Sequence, residues 1–231
     1  MSNRIIFEKD FFMVYKGLFQ LNGLKKTDKM TYIYLSSICH YASKNSYAKL
    51  KDLNYLFGIT RPTFKKVSYR LEQVGLVEQI AGGNDFYLCH RDDLHLKGNY
   101  FFMHYSILRS TRITPRQKLI YSFLLSWASN QEKVTEVSMK TIAKNCAVRD
   151  DKKLRDDINI LVSCGLITRN LKRKIYKGNL QYDKYQYHIL KIPDGFFKES
   201  DKEIVEEIYV ELEKGNQSTT EWDDIFGSYT Q

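Results

Sequence analysis

The sequence predicts a mixed α+β fold, mainly α-helical with small β-hairpins, in which one domain occurs twice as an internal pseudo-dimer. The first observation is a repeated motif ninety residues apart: Phe11, Phe12, Met13, Tyr15 and Leu18 recur as Phe101, Phe102, Met103, Tyr105 and Leu108. The second is that Leu71, Gly75, Leu76 and Val77 recur as Leu161, Gly165, Leu166 and Ile167. A chain of 231 residues is long enough for two modest domains with separate cores.

The repeat also predicts the domain boundaries. We expect a first domain over residues 1–92 and a second over 99–193, followed by an acidic helix and tail over 194–231. The link near Arg91–Asn99 is short. We therefore expect the two domains to pack on each other rather than to move independently.

Hydrophobic periodicity predicts three helices in the first copy. The first spans Asp28–Ser43 with Thr27 as its N-cap, and a short one follows over Leu50–Phe57. Gly58 then makes a turn, and Thr60 caps a third helix that runs to about Val74. Gly75 ends this helix in a left-handed conformation. A hairpin of Val77–Ile80 and Phe86–Cys89 completes the unit.

The second copy repeats the order of elements. Thr114 and Pro115 start a helix whose inner stripe is Leu119, Ile120, Phe123, Leu124, Trp127 and Ala128. A middle helix carries Ile142, Ala143, Cys146 and Val148, and the next one is lined by Leu154, Ile158 and Leu161. Ile167–Tyr176 and Tyr182–Leu190 form a longer hairpin. Three helices followed by a hairpin predict two tandem winged helix-turn-helix domains, in which the hairpin is the wing.

The charge of the chain is unevenly distributed. The formal net charge is +9, yet ten acidic residues and two lysines lie from Glu199 onward, which leaves the body strongly basic. A basic body indicates a polyanionic partner. The alternative is a lysine-rich composition without a functional meaning.

The third helix of the first copy carries the first candidate DNA-binding residues. In a winged helix this helix enters the major groove. We expect the DNA-binding residues there to be Thr60, Arg61, Thr63, Lys65, Lys66, Tyr69 and Arg70, opposite the core stripe together with Ser68. Arg61 and Lys65 are assigned to bases, and Lys66 and Arg70 to phosphates. The alternative is a merely solvated helix face.

The second copy offers a weaker helix and a stronger wing. The cations of its third helix are Arg149, Lys152, Lys153 and Arg155, and they alternate with Asp150, Asp151, Asp156 and Asp157. An aspartate there caps the helix or accepts from a cytosine amine, whereas several near phosphates repel them. The wing carries Arg169, Lys172, Arg173, Lys174, Lys177 and Lys184 against one acid, Asp183. This density predicts a clamp on the DNA backbone.

Other functional classes have little support. Cys39, Cys89, Cys146 and Cys164 lack zinc-site spacing, so we expect free thiols in a reducing cytoplasm. His90, Asp92, Asp93 and His95 fall in the expected domain link, where exposed polarity explains them better than a metal. We find no catalytic motif, cofactor motif, signal peptide or membrane span, and we expect no enzyme.

The C-terminal segment suggests a protein partner. Asp201–Lys214 has the pattern of an acidic amphipathic helix, and a polar linker leads to Trp222, Ile225 and Phe226. These three side chains are candidates for docking on a replication or transfer protein. They could equally fold back on the basic body, or form a frayed tail.

The first copy resembles a known family. Phe12-Met13-Val14-Tyr15 with Leu18-Phe19, Lys29 to Leu35, Leu53 to Ile59, and Leu71 to Val77 resemble the N-terminal winged helix of Gram-positive plasmid replication initiators and of primosomal proteins. The resemblance covers roughly residues 11–90, and 101–190 more loosely. Those initiators continue into a different helical domain, whereas a tandem arrangement is similar to accessory DNA-binding proteins of conjugative elements.

This resemblance implies a double-stranded-DNA-binding protein of a plasmid or other mobile element. It would act as a monomer with internal pseudo-symmetry, or as a dimer on DNA, in replication initiation, conjugative transfer or regulation of its operon. The alternative is a protein–protein adaptor, in which the winged helices are a scaffold and the acidic tail recruits the partner.

Overall fold

The fold is mixed α+β, with helices and three small antiparallel sheets, as the sequence predicts. A computed structural model describes residues 11–39, 44–80, 84–89, 99–128, 132–176, 179–194 and 196, and among them the side chains of 173–176 and 179–183 are not described. Seven α-helices and eight strands lie in these ranges.

Each half of the chain has the same order of elements. The first half contains β1 (Phe11–Tyr15), a 3₁₀ helix (Lys16–Phe19), α1 (Lys26–Ser37), β2 (Asn45–Tyr47), α2 (Leu50–Phe57), α3 (Arg61–Gln73), β3 (Val77–Ile80) and β4 (Asp85–Leu88). The second half contains β5 (Tyr100–His104), α4 (Tyr105–Arg109), α5 (Pro115–Trp127), β6 (Val134–Val137), α6 (Met139–Asn145), α7 (Lys152–Ser163), β7 (Ile167–Tyr176) and β8 (Asn179–Ile189). The two three-stranded sheets have equivalent strand orders, β2-β4-β3 and β6-β8-β7.

The repeated N-terminal strands of the two halves pair with each other. β1 and β5 form an antiparallel two-stranded sheet in which Phe12 lies opposite Met103 and Met13 lies opposite Phe102. These are the repeated residues of the two copies, so the pairing is that of a strand with its own equivalent. An approximate two-fold axis therefore passes through the centre of this sheet.

One hydrophobic core runs through both halves, in place of the two separate cores expected from the sequence. Helix α1 packs against its equivalent α5, and the Phe19 ring lies 5.4 Å from the Phe123 ring. The Tyr105 hydroxyl donates to the carbonyl oxygen of Ser37 at 2.9 Å, across the two halves. The halves are thus joined by backbone pairing, by aromatic contacts and by a hydrogen bond.

Two equivalent buried lysines repeat one polar contact inside this core. The Lys29 ammonium donates to the carbonyl oxygens of Leu18 and Phe19 at 3.0 and 3.2 Å. Its equivalent, Lys118, donates to the carbonyl oxygen of Leu108 at 2.6 Å. Both lysines satisfy carbonyls at the end of the preceding short helix, which would otherwise be buried without a partner.

In the predicted three-helix unit the first helix is α1 or α5 and the third is α3 or α7, and the turn before each third helix has a left-handed residue. Gly58 follows α2 with φ of 66°, and Ala147 follows α6 with φ of 50°. Because these positions correspond in the repeat, both halves place their third helix through the same backbone turn. The predicted role of Gly58 is confirmed, whereas alanine at this position is strained.

Helix α1 differs from its predicted bounds at both ends. Lys25 is the N-cap, Thr27 lies inside the helix, and the helix ends at Ser37 rather than Ser43. The hydroxyls of Ser36 and Ser37 bond back to the carbonyl oxygens of residues 32 and 34. Such local bonds compete with helix continuation, which the hydrophobic pattern does not reveal. Residues 40–43 of the predicted helix lie outside the described residues.

The ends of three other helices differ in detail from the sequence prediction. Thr60 is the N-cap of α3, but its side chain caps no backbone N–H; its hydroxyl lies 3.1 Å from the Thr63 hydroxyl. In the second half, Thr114 and Pro115 start α5 as predicted, and Thr114 forms a capping box with Gln117. Trp127 of the predicted inner stripe is 46% exposed. Helix α6 ends at Asn145, so Cys146 is its C-cap and Val148 lies beyond it.

Candidate nucleic-acid interface

Helix α3 buries one stripe and exposes a basic face. Phe64, Val67 and Leu71 recur at spacings of three and four residues and are buried. This anchoring leaves the opposite face in solvent; the exposed side chains there are Thr60, Arg61, Lys65, Lys66 and Tyr69, with Thr63 half-buried. Tyr69 is 62% exposed, so its ring and hydroxyl are accessible from solvent.

Two side chains of α3 do not lie where the sequence analysis placed them. Ser68 is buried, and its hydroxyl donates to the carbonyl oxygen of Lys65 at 3.1 Å. The guanidinium of Arg70 binds the Asp28 carboxylate through two hydrogen bonds, of 2.8 and 2.6 Å. Asp28 is fully buried, and its hydrogen bond holds the pKa of Arg70 above its usual value. Arg70 therefore holds α3 on α1 instead of lying free for a phosphate.

Helix α7 repeats the arrangement of α3. Leu154, Ile158 and Leu161 form the buried stripe, as predicted. The four cations assigned from the sequence all lie exposed: Arg149, Lys152, Lys153 and Arg155. The third helix of each half thus presents basic side chains to solvent, on the side away from the shared core.

Two of the four aspartates near α7 are held by contacts within the fold. Asp151 is the N-cap and accepts from the backbone N–H of Leu154 at 3.0 Å. Asp157 is buried and forms an ion pair with Arg116 of α5 at 2.6 Å, while the Gln117 amide donates to it at 3.0 Å. Only Asp150 and Asp156 of the four are exposed. The acidic character expected for this helix is therefore smaller at its surface than in its sequence.

The two ion pairs join equivalent helices, but the acid and the base exchange places between the halves. In the first half the acid, Asp28, lies on α1 and the base, Arg70, on α3. In the second half the base, Arg116, lies on α5 and the acid, Asp157, on α7. Both pairs fix the third helix to the first helix of its own half, so each exposed basic face has a fixed orientation.

The longer hairpin distributes its cations over both faces. Lys172 lies opposite Lys184, whereas Arg169 pairs in register with the buried Tyr187 and so belongs to the other face. The Arg169 guanidinium lies over the Tyr185 ring, 5.1 Å from its centroid. The described cations of the wing therefore lie on both of its faces, and the clamp on the DNA backbone stays a prediction.

An acid that the sequence analysis missed lies beside the hairpin lysines. The Lys172 ammonium binds the Glu136 carboxylate at 2.5 Å. The hydrogen bond from Lys172, with the charges of Lys172 and Lys184, holds the pKa of Glu136 below its usual value. Glu136 comes from β6, so no local sequence pattern links it to the wing. Arg173 and Lys174 belong to β7 but their side chains are not described, and Lys177 lies outside the described residues.

Several of the other candidate residues named from the sequence lie outside the described residues. Among the described residues, no group of three or more His, Cys, Asp or Glu side chains could hold a metal ion. His90, Asp92, Asp93 and His95 lie outside those residues, as do the predicted acidic helix and Trp222, Ile225 and Phe226. The four cysteines are free thiols. Within the described ranges no helix has the length and apolar character needed to cross a membrane.

Comparisons of the sequence with protein-family models and with curated proteins found no relative. No protein-family model matches the chain, and no curated protein matches it in sequence.

Proposed function

We propose that each half is a winged helix-turn-helix domain and that the protein binds a specific site on double-stranded DNA. One observation carries the proposal. The helix that follows each left-handed turn, α3 or α7, exposes a row of cations, while Asp28 and Asp157 are buried in ion pairs and Asp151 caps α7. A helix that enters the major groove needs exposed cations in a fixed orientation, because they bind base edges and the flanking phosphates.

The first half supplies the stronger reading surface. Arg61 lies at the first turn of α3, the end that approaches base edges in helix-turn-helix proteins. Its guanidinium can bind a guanine through two hydrogen bonds, which gives it a role in specificity. Lys65 and Lys66 lie one turn further along and can neutralise phosphates. Tyr69 can contact the sugar-phosphate backbone through its hydroxyl.

The second half contributes more to affinity than to reading. Its third helix and the turn before it expose four cations against Asp150 and Asp156, and its wing holds Lys172 and Lys184 near Glu136. Partial neutralisation by Glu136 weakens the phosphate contacts of these two lysines. We assign this half mainly to backbone contacts that position the chain on the duplex, with Asp150 as its candidate for reading a base.

We further propose that the site lies on a plasmid or related mobile element, at an origin, a transfer region or the promoter of the protein's own operon. The resemblance of residues 11–90 to plasmid initiators supports this context. These three roles use the same DNA contacts, and the location of the bound fragment distinguishes them.

The test is the salt dependence of DNA binding, measured by fluorescence anisotropy with labelled duplexes. Removing one lysine that neutralises a phosphate should reduce the slope of log Kobs against log salt by about 0.9. We expect Lys65→Ala with Lys66→Ala to weaken binding and to flatten this slope. The matched control is Lys133→Ala with Lys191→Ala, which removes two exposed lysines that lie off both third helices.

Three outcomes separate the possibilities. A flatter slope for the α3 variant alone supports the proposal. Equal changes in the α3 and control variants mean that the overall charge, not this surface, binds DNA. Absence of binding to any duplex at low salt rejects the proposed function.

A further inference from the structure

We infer that one copy of the chain binds a single duplex site composed of two inverted, non-identical half-sites. The inference rests on the proposed DNA-binding function and adds the class of site that the chain recognises. It follows from how the two halves are joined and from the different side chains that their third helices expose.

The joint sets the relative orientation of the halves. β1 and β5 are equivalents in the repeat, and they pair antiparallel about a centre between the Phe12–Met103 and Met13–Phe102 pairs. An antiparallel pair of equivalent strands is related by a two-fold axis perpendicular to the sheet. Seen along that axis, equivalent elements on its two sides therefore have opposite directions.

The helix packing places the two reading helices on opposite sides of this axis. Helix α3 packs on α1, α1 packs on its equivalent α5, and α5 packs on α7. The contacts therefore link the helices in the order α3, α1, α5, α7, with the exposed basic helices as the first and last members. The ion pairs Asp28–Arg70 and Arg116–Asp157 fix each outer helix to its inner neighbour.

Symmetry then constrains the DNA. A duplex has two-fold axes perpendicular to its own axis, and a two-fold reader engages both strands alike when the axes coincide. Inverted half-sites satisfy this condition, whereas direct repeats do not. A centre-to-centre spacing of about 10 base pairs, or a multiple of it, would bring both helices to the same face of the duplex.

The half-sites must differ in sequence because the two helices expose different chemistry. The start of α3 presents Arg61 with Lys65, suited to guanine and phosphate. The start of α7 presents Asp150 with Lys152 and Lys153. An exposed aspartate accepts from a cytosine amine and disfavours other edges. The site is thus inverted in direction but unequal in content, and one chain supplies both readers.

The test begins with duplexes enriched from a random library by the full-length protein. The enriched duplex is compared with two altered versions. In the direct-repeat version the second half-site is replaced by its reverse complement, and in the other version that half-site is scrambled. We expect one chain per enriched duplex, and binding at least about tenfold weaker to either altered version. Equal affinity for the direct-repeat or scrambled version, or two chains per enriched duplex, overturns the inference. Failure to enrich or bind any duplex rejects the proposed function itself.

Hydroxyl-radical footprinting at saturating protein assigns each helix to a half. We expect Lys152→Ala with Lys153→Ala to reduce backbone protection in one half-site, and Lys65→Ala with Lys66→Ala to reduce it in the other. Two variants that affect the same half, or an α7 variant whose protection matches the unmodified protein in both halves, would contradict the assignment.

Discussion

At the scale of single residues, the turn before each third helix shows a difference in strain between the two halves. Gly58 adopts its left-handed conformation without cost, and a Cβ at this position would meet no atom within 4 Å. Ala147 adopts the equivalent conformation with a Cβ that clashes with its own backbone, at a cost of about 1–2 kcal/mol. The second half therefore contains a local strain that the first half avoids.

We expect Ala147→Gly to raise the free energy of unfolding by about 0.5–1 kcal/mol, because glycine removes this strain against some added flexibility of the unfolded chain. Gly58→Ala is the matched control, and we expect it to lower the free energy of unfolding by about 1 kcal/mol. Urea unfolding of both variants measures the two changes. Destabilisation by Ala147→Gly would show that the strain is not stored there.

Two buried groups, Lys29 on α1 and Cys146 just after α6, link stability to pH in opposite directions. Burial raises the pKa of the Cys146 thiol far above its usual value, so the folded chain keeps a proton that the unfolded chain loses above about pH 8.5. Stability from Cys146 is thus complete below that pH and lost as the pH rises. Burial lowers the pKa of Lys29 to about 8, so its contribution rises between about pH 8 and 10.5.

We expect Cys146→Ala to lose less stability than the unmodified protein as the pH rises above 8.5. The slopes of unfolding free energy against pH should differ by up to about 1.4 kcal/mol per pH unit, the value for one linked proton. Urea titrations between pH 7.5 and 10 under reducing conditions measure both slopes. Parallel curves would mean that the thiol titrates alike in the folded and unfolded chains.

At the scale of secondary-structure elements, the ion pairs between the first and third helices determine how the basic faces are held. Arg116 and Asp157 are largely withdrawn from solvent, with side-chain exposures of 16% and 6%. Removing one partner of such a pair leaves a charge in a poorly hydrated site. The orientation of α7 therefore depends on this contact as well as on its apolar stripe.

We expect Asp157→Ala to lower the free energy of unfolding by roughly 3 kcal/mol, because Arg116 loses its main partner. Asp156→Ala removes the neighbouring, exposed carboxylate of the same helix and should change stability by no more than about 0.5 kcal/mol. Chemical denaturation of both variants tests the difference. Similar small effects would mean that α7 is held by its apolar contacts alone.

The longer hairpin gives a second prediction at this scale. Glu136 is ionised beside Lys172 and Lys184 and offsets their charge. We expect Glu136→Gln to tighten binding to duplexes of any sequence and to steepen its salt dependence by about one unit of slope. Glu132→Gln makes the same charge change outside the hairpin and serves as the control. Weaker binding by the Glu136 variant would contradict a phosphate-contacting role for these lysines.

Local elements were predictable from sequence, but contacts between distant elements were not. The bounds of α2 and the hairpin of β3 and β4 follow from local periodicity and turn residues, and both were confirmed closely. The Arg70–Asp28 pair joins residues 42 apart, and the Lys172–Glu136 pair joins residues 36 apart. No periodic pattern marks such partners. Sequence therefore predicted which cations exist, while the fold decides which of them remain available.

At the scale of the whole molecule, the repeat joins the two halves through equivalent elements, while the side chains that differ between the copies make the halves unequal. The repeated strands β1 and β5 pair with each other, and the repeated lysines Lys29 and Lys118 satisfy equivalent carbonyls. The shared core holds the two halves in a fixed relation. Their exposed third helices differ in charge and chemistry, so a symmetric scaffold carries two unequal surfaces. This combination is the basis of the proposed DNA reader.

Lysine footprinting tests the central claim most directly, because it maps contacts in the unmodified protein. Exposed lysines are acetylated with and without an enriched duplex, and modification at each position is measured by mass spectrometry. The account predicts that DNA protects Lys65 and Lys66 on α3 and Lys152 and Lys153 on α7, while Lys133 and Lys191 react equally in both states. Equal reactivity of the α3 and α7 lysines with and without bound DNA would contradict the account.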